Sequence, residues 1–302
     1  MYLVPVAPPA HVQIHSGFDY VTTDAARHRV YAAHNGSGTL LVVNSDSGAI
    51  LNQVDVGPLH GVAVDPATGH VYTGDGENRT VSDVDPVSGQ VVNSADVDGK
   101  VDATAYDPVL HYVYADEDDG THMFVVDTKT MKQVAAINLP GHKPEYLAID
   151  PQTHYVYQNI DNLAEVAVID PQQLKVIRTF PTPVLQKNHP LQYDPTYKIL
   201  VIGGKNATLA AYTRDGKLLG TAPMPAGVDQ CDLNPETHLI ACAGDKKVAV
   251  FSLSDKGTLT QVADRDVAEG VHTLAIDRNT GHIWIVWASP DGDFVQELKL
   301  TQ

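Results

Sequence analysis

Residues 57–72, "GPLHGVAVDPATGHVY", set a short apolar run, an Asp-Pro turn and a β-branched and aromatic run side by side, with histidines at 60 and 70. Two strand-length segments flanking a turn of Asp, Pro, Thr and Gly read as an antiparallel pair. The pattern returns along the chain as "DAARH", "DPATGH", "DPVLH", "DPQTH", "DPTYK", "NPETH" and "DRNTGH". The first residues are Asp24, Asp65, Asp107, Asp150, Asp194, Asn234 and Asp277, spaced by 41, 42, 43, 44, 40 and 43 residues. A fixed period of this length marks a repeat architecture.

Each unit carries four strand-length segments. In the second unit "GVAV" leads into the turn, "HVYTG" leaves it, and two further runs rich in Val follow. Nothing has the length and period of a helix. Seven four-stranded antiparallel units predict an all-β, seven-bladed β-propeller, and the repeat leaves no room for a second domain, so residues 1–302 read as one. The last unit supplies "VHTLAI", "HIWIVWA" and "FVQELKL" and ends one strand short. "HVQI", residues 11–14, is expected to add that strand, joining both termini in one sheet and hiding its open seam.

Composition narrows the partners. The formal charge of −17 argues against a nucleic-acid backbone or an anionic membrane surface. No run approaches the length of a membrane span. The start "MYLVPVAPPAHVQIH" lacks the basic-then-apolar order of a signal peptide, which fits either a cytoplasmic protein or a periplasmic or secreted one whose leader is gone. Cys231 and Cys242 flank the "NPETH" turn almost symmetrically, placing them on adjacent strands as either a disulfide or two buried thiols.

The Asp-Pro turns, the "HVYTG" and "YVYQN" strands and the segment "VAVIDPQQLKVI" resemble the YVTN-type β-propeller repeat family over residues 11–300. The signature is degenerate here, as "VYAAH", "VYTGD", "VYADE" and "VYQNI". The resemblance implies the propeller fold and points to bacterial surface or periplasmic repeat proteins, with lactonases and lyases among the wider group.

The repeat also sorts the 14 histidines. His28, His70, His111, His154, His238 and His282 close the turn in six units, with Lys198 in the fifth. A residue every unit needs is structural, its side chain bonding turn backbone or the Asp carboxylate. Five residues before each anchor stand Asp19, His60, Asp102, Glu145, His189, Asp229 and His272, every one ionisable or a potential ligand. A propeller's first strands line its channel, so these seven side chains ring one mouth. His60, His189 and His272 are the expected metal ligands with Glu145 and Asp19, and Asp102, Glu145 and Asp229 the candidate proton-transfer groups. A wet polar mouth or an anion site stands beside the metal reading. Mixed imidazole and carboxylate donors suit one divalent transition metal, Zn, Fe, Ni, Cu or Mn, better than Ca.

Loops between second and third strands vary from unit to unit and open on the same face, as recognition surfaces do. His15, His34, Arg79 and Trp287 are the candidate substrate contacts. Tyr31, Tyr72, Tyr114, Tyr157 and Trp284 share a second-strand position and read as packing. No nucleophile elbow, phosphate loop or dinucleotide fingerprint is present. Two functions remain open: a metal-dependent hydrolase or lyase acting on a small, anionic, lactone- or sugar-acid-like metabolite, and a non-catalytic propeller binding a protein, glycan or metal.

Overall fold

The computed structural model describes residues 1–12 and 16–302. Seven antiparallel sheets follow one another along the chain as the blades of a β-propeller. Blade 1 comprises Val21–Asp24, Arg29–His34, Thr39–Asn44 and Ile50–Asp55, and blade 2 begins at Leu59–Val64. The first strands of blades 3 to 7 are Val101–Asp107, Pro144–Ile149, Asn188–Asp194, Cys231–Asn234 and Thr273–Ile276. Among the described residues no helix is long and apolar enough to cross a membrane.

The turn anchors are capped alike. Asp65 Oδ1 accepts the Ala67 N–H at 2.9 Å, Asp107 Oδ1 those of Val109 and Leu110, and Asn234 Oδ1 that of Glu236 at 3.0 Å, the local bonding that favours Asp and Asn in turns. Four residues after each anchor the backbone is left-handed: His28, His111, His154, Lys198 and His238 have φ between 55° and 62°, and Gly69 and Gly281 have 81° and 70°. This explains the two spellings of the turn. Where glycine takes the strained position, histidine follows it; elsewhere histidine or lysine bears the strain itself.

The turn histidines bond carboxylates, by two routes. His154 Nδ1 lies 2.7 Å from Asp107 and His238 Nδ1 2.6 Å from Asp194, each tying a blade to the anchor of the one before. His28, His70 and His282 reach Asp46, Asp83 and Glu297 within their own blades. His111 instead meets the Tyr106 hydroxyl at 3.3 Å.

Closure uses more of the N-terminus than expected. Ala10–Val12 pairs with Val295–Asp293, and Tyr2–Pro5 pairs with Thr301–Leu298 along the same last strand, Gly292–Thr301. Leu3 and Val12 are buried there. Gln13 and Ile14, part of the expected closing strand, lie outside the described residues. Tyr31, Tyr72, Tyr114, Tyr157 and Trp284 are all buried, and Cys231 and Cys242, directly paired across two strands, form a disulfide. Blades 1 to 6 each break register between third and fourth strands, a bulge that twists an exposed edge away from edge-to-edge pairing.

Candidate functional site

In blades 2 to 5 the ladder between first and second strands breaks where the ring residue sits. The shifts fall between Leu59 and Val62, Val101 and Thr104, Pro144 and Leu147, and Asn188 and Leu191, each interval holding a ring residue. A bulge re-aims a side chain that regular pleating would commit to one face. In blades 1, 6 and 7 the ring residue lies just ahead of the first strand.

The ring divides into two arcs. In blades 1 to 3, His60 Nδ1 lies 2.6 Å from Asp19 Oδ2 and 3.9 Å from Asp102 Oδ1. One donor atom from each of these three lies within 4.8 Å of the others. Burial and the charges of Asp19, Asp116 and Glu145 hold the Asp102 carboxyl well above the ordinary carboxylate range. Burial pulls the His60 imidazole down, but the Asp19 hydrogen bond and charge, with Asp118 and Asp75 beyond, raise it further. Asp118, from the variable loop of blade 3, is itself raised, by burial and then by Asp119.

In blades 4 to 7 basic and acidic side chains alternate. Lys143 Nζ lies 3.4 Å from Glu145 Oε1, His189 Nδ1 3.0 Å from Glu145 Oε2, His189 Nε2 3.4 Å from Asp229 Oδ1, and His272 Nε2 3.7 Å from Asp229 Oδ2. Exposure rises from 4% for the Glu145 side chain through 8% for His189 to 40% for Asp229. His189 Nδ1 is sealed from solvent and, despite its closeness to Glu145, makes no hydrogen bond. His272 is held by backbone, with Nδ1 at 2.7 Å from Gly270 O and Nε2 at 3.2 Å from Phe18 O.

Five metal ligands were expected across the ring. The structure brings Asp19 and His60 together with Asp102, and seats Glu145, His189 and His272 in the other arc. Among the described residues no other set of three or more such groups meets the same spacing. Sequence reasoning missed Lys143 and the burial of Asp116. Asp116, fully buried, accepts the Ala103 N–H at 2.6 Å and the Gln158 amide at 3.0 Å, so it fixes the backbone next to Asp102. The signal available for it was an acid inside the apolar second strand "YVYADE".

The expected substrate contacts scatter. His34 is fully buried, its Nε2 2.5 Å from Asp293 and its ring stacked on Phe18, which removes it from any solvent-facing surface. Trp287 is likewise buried, stacked on Phe294 at 5.2 Å. Arg79 is exposed at the mouth-side loop of blade 2. His15 lies outside the described residues.

Below the ring, Tyr20 and Tyr146 meet edge to face at 5.4 Å from blades 1 and 4, forming a floor across the channel. A cavity of about 610 Å³ lies beneath that floor and is lined by none of the ring residues. The ring and this hollow therefore occupy opposite sides of one aromatic barrier.

No protein-family model matches the sequence, and no curated protein matches it. Solved structures do: a chain of Kuenenia stuttgartiensis hydrazine synthase superimposes with a TM-score of 0.79, covering 96% of this chain and 98% of that one at 14% identity. At that identity the likeness shows the fold, a seven-bladed β-propeller, and nothing of the chemistry.

Proposed function

We propose that this propeller holds one divalent transition-metal ion, Zn, Fe, Ni, Cu or Mn, between Asp19, His60 and Asp102, and is a hydrolase or lyase for a small, anionic, lactone- or sugar-acid-like metabolite. The observation carrying this reading is the convergence of one imidazole and two carboxylates within 4.8 Å at the channel mouth. The surroundings fit an ion. One imidazole and two carboxylates, with both carboxylates facing His60 Nδ1 at 2.6 and 3.9 Å, are a donor set that suits such an ion. Two carboxylates so close repel one another without a cation between them. The resemblance to YVTN-type repeats belongs to this reading as support for the fold, with lactonases and lyases in its wider group.

When bound, such an ion supplies Lewis acidity and offsets the negative charge that would otherwise turn an anion away. Asp19, His60 and Asp102 bind it, and Asp116 holds the backbone beside Asp102 in place. Asp102 therefore serves as a ligand, which leaves proton transfer to Glu145 and Asp229. Asp229, the more exposed, gives or takes the proton at its carboxylate with His189 and His272 alongside. Tyr20 and Tyr146 floor the mouth, so substrate enters from the variable-loop face.

A non-catalytic propeller binding a protein or glycan through that face is favoured by one observation: His60 Nδ1 is already satisfied by Asp19 at 2.6 Å without an ion. The test is elemental analysis of untagged protein, followed by a hydrolase and lyase screen of the wild type and Asp229→Asn. About one equivalent of metal, with turnover lost in the folded, metal-replete variant, supports the enzyme. Absence of metal after incubation and dialysis overturns it.

A further inference from the structure

We infer that the chamber beneath the tyrosine floor is a second ligand site, independent of the metal centre, for a flat, uncharged molecule bearing a carbonyl oxygen. Its volume, about 610 Å³, lies within the range of small-molecule pockets. An adjoining hollow of about 310 Å³ shares Tyr106, Gln192, Tyr193 and Arg278 with it and lies among the Asp-Pro turns. Entry is thus from the face opposite the ring.

The sequence makes this hollow through one register. Two residues before the turn anchors, blades 2, 3 and 4 carry Ala63, Ala105 and Ala148, whereas blades 5 and 6 carry Gln192 and Asp232. Three methyl groups leave the space, and the polar side chains across from them give it one hydrogen-bonding wall. Two residues nearer the ring, Tyr20 and Tyr146 close the top.

Hydrogen-bond accounting at that closed end calls for an acceptor. The Tyr146 hydroxyl accepts from Gln192 Nε2 at 3.2 Å and from Gln230 Nε2 at 3.1 Å. A phenol has two acceptor sites and one hydrogen to give; both acceptor sites are filled, and no acceptor among the described residues takes the hydrogen. Tyr146 also lies in left-handed backbone, φ 61°, a conformation rare for an aromatic residue and kept only where surroundings impose it. The gap in the network is therefore one hydrogen-bond acceptor wide.

Charge excludes ions. Asp232 Oδ1 is paired with Arg278 Nη2 at 2.6 Å, and Asp24 Oδ2 with Arg27 Nη1 at 3.0 Å, while Arg278 Nη1, without a partner among the described residues, is sealed from the chamber's solvent, so a charged ligand would shed its hydration without reaching an unpaired counter-charge. A carbonyl on a flat apolar body meets all three conditions: an oxygen for Tyr146, faces for the tyrosine rings, and an edge against the alanine methyls.

The test uses benzamide as probe and benzoate as its charged isostere, titrated into full-length protein with ¹³C-labelled alanine methyls. The expected result is a saturable benzamide shift at Ala63, Ala105 and Ala148, with benzoate bound at least about tenfold more weakly. Ala105→Phe should fill the chamber and abolish the shift. Tyr146→Phe, which keeps the ring and removes only the hydroxyl, should weaken benzamide about tenfold, the worth of one hydrogen bond, and it carries the test should Ala105→Phe not fold. Asp102→Asn should leave benzamide affinity unchanged while lowering metal content, so the two sites fail separately. No chamber shift at any benzamide concentration reached, equal binding of benzoate, or unchanged affinity in Tyr146→Phe would each overturn the inference.

Discussion

The two arcs of the ring occupy one register of one repeat, yet they are different electrostatic objects. Blades 1 to 3 contribute two carboxylates and one imidazole, with Asp118 close behind, and Lys100, two residues before Asp102, pairs with Glu77 rather than with the ring acid. Blades 4 to 7 contribute two carboxylates and two imidazoles, and Lys143 supports Glu145 from below in the chain. In the second arc each carboxylate faces a lysine or an imidazole, at 3.0 to 3.7 Å, from one blade to the next. In the first, burial and then the charges of Asp19, Asp116 and Glu145 drive Asp102 above its ordinary pKa. Propeller symmetry thus settles where side chains go, and local charge balance settles what they can hold.

Metal affinity should separate the arcs most strongly. His60→Ala is expected to weaken a divalent ion by about 100-fold or more, since even groups outside the ligand set typically cost 10–100-fold. His272→Ala should change affinity less than about threefold. Isothermal titration with Zn or Mn at neutral pH reads both. Equal losses in the two variants would erase the distinction between the arcs.

The next effect is on pH. Metal binding requires neutral imidazole, and the His60 pKa lies above its ordinary value. As pH falls through that raised value, protons compete with the ion, and affinity should drop by about tenfold per unit below it. An onset at or below the ordinary imidazole pKa of about 6.5, measured by the same titration across pH, would show that Asp19 does not govern His60.

Smaller still is the effect on the metal-free fold. Asp102 has its pKa raised on folding, so its contribution to stability is greatest below the unfolded carboxylate pKa and is lost as pH rises through the folded value. Asp102→Asn removes the charge and should raise the melting temperature at pH 7 by about 2–4 °C for each kcal/mol relieved. The gain should vanish near pH 4. Glu145→Gln, in the balanced arc, should instead lower it at pH 7 by leaving Lys143 and His189 without their partner.

How much of this the residues announced depends on what repeats. Blade number, strand count and ring register were legible, because seven copies of a turn act as their own alignment and a period near 42 residues has few architectures. Repetition carries no information on what differs between copies. The bulges that free His60, Asp102, Glu145 and His189 from the ladder leave no compositional mark. Nor does the split of the ring, which depends on distances between blades far apart in sequence. His34 read as a loop residue because it ends a strand; Asp293, from the last blade, buries it. The floor of Tyr20 and Tyr146 was hidden because either tyrosine alone reads as core.

The turn histidines give the finest comparison, since one sequence position serves two couplings. His154 bonds the buried Asp107 of the preceding blade, whereas His28 bonds Asp46 of its own blade with both side chains about half exposed. An exposed pair contributes at most about 1 kcal/mol, while the buried Asp107 carboxylate is left short of a partner when His154 is removed. His154→Asn, which keeps a side chain tolerant of left-handed backbone, should therefore destabilise by about 1–3 kcal/mol in urea unfolding, and His28→Asn by less than about 0.5. Metal content should stay intact in both, because these residues sit at the opposite end of the first strand from the ring. Loss of metal in His154→Asn with the fold preserved would mean that the turn, and not only the bulge, positions the acid-rich arc.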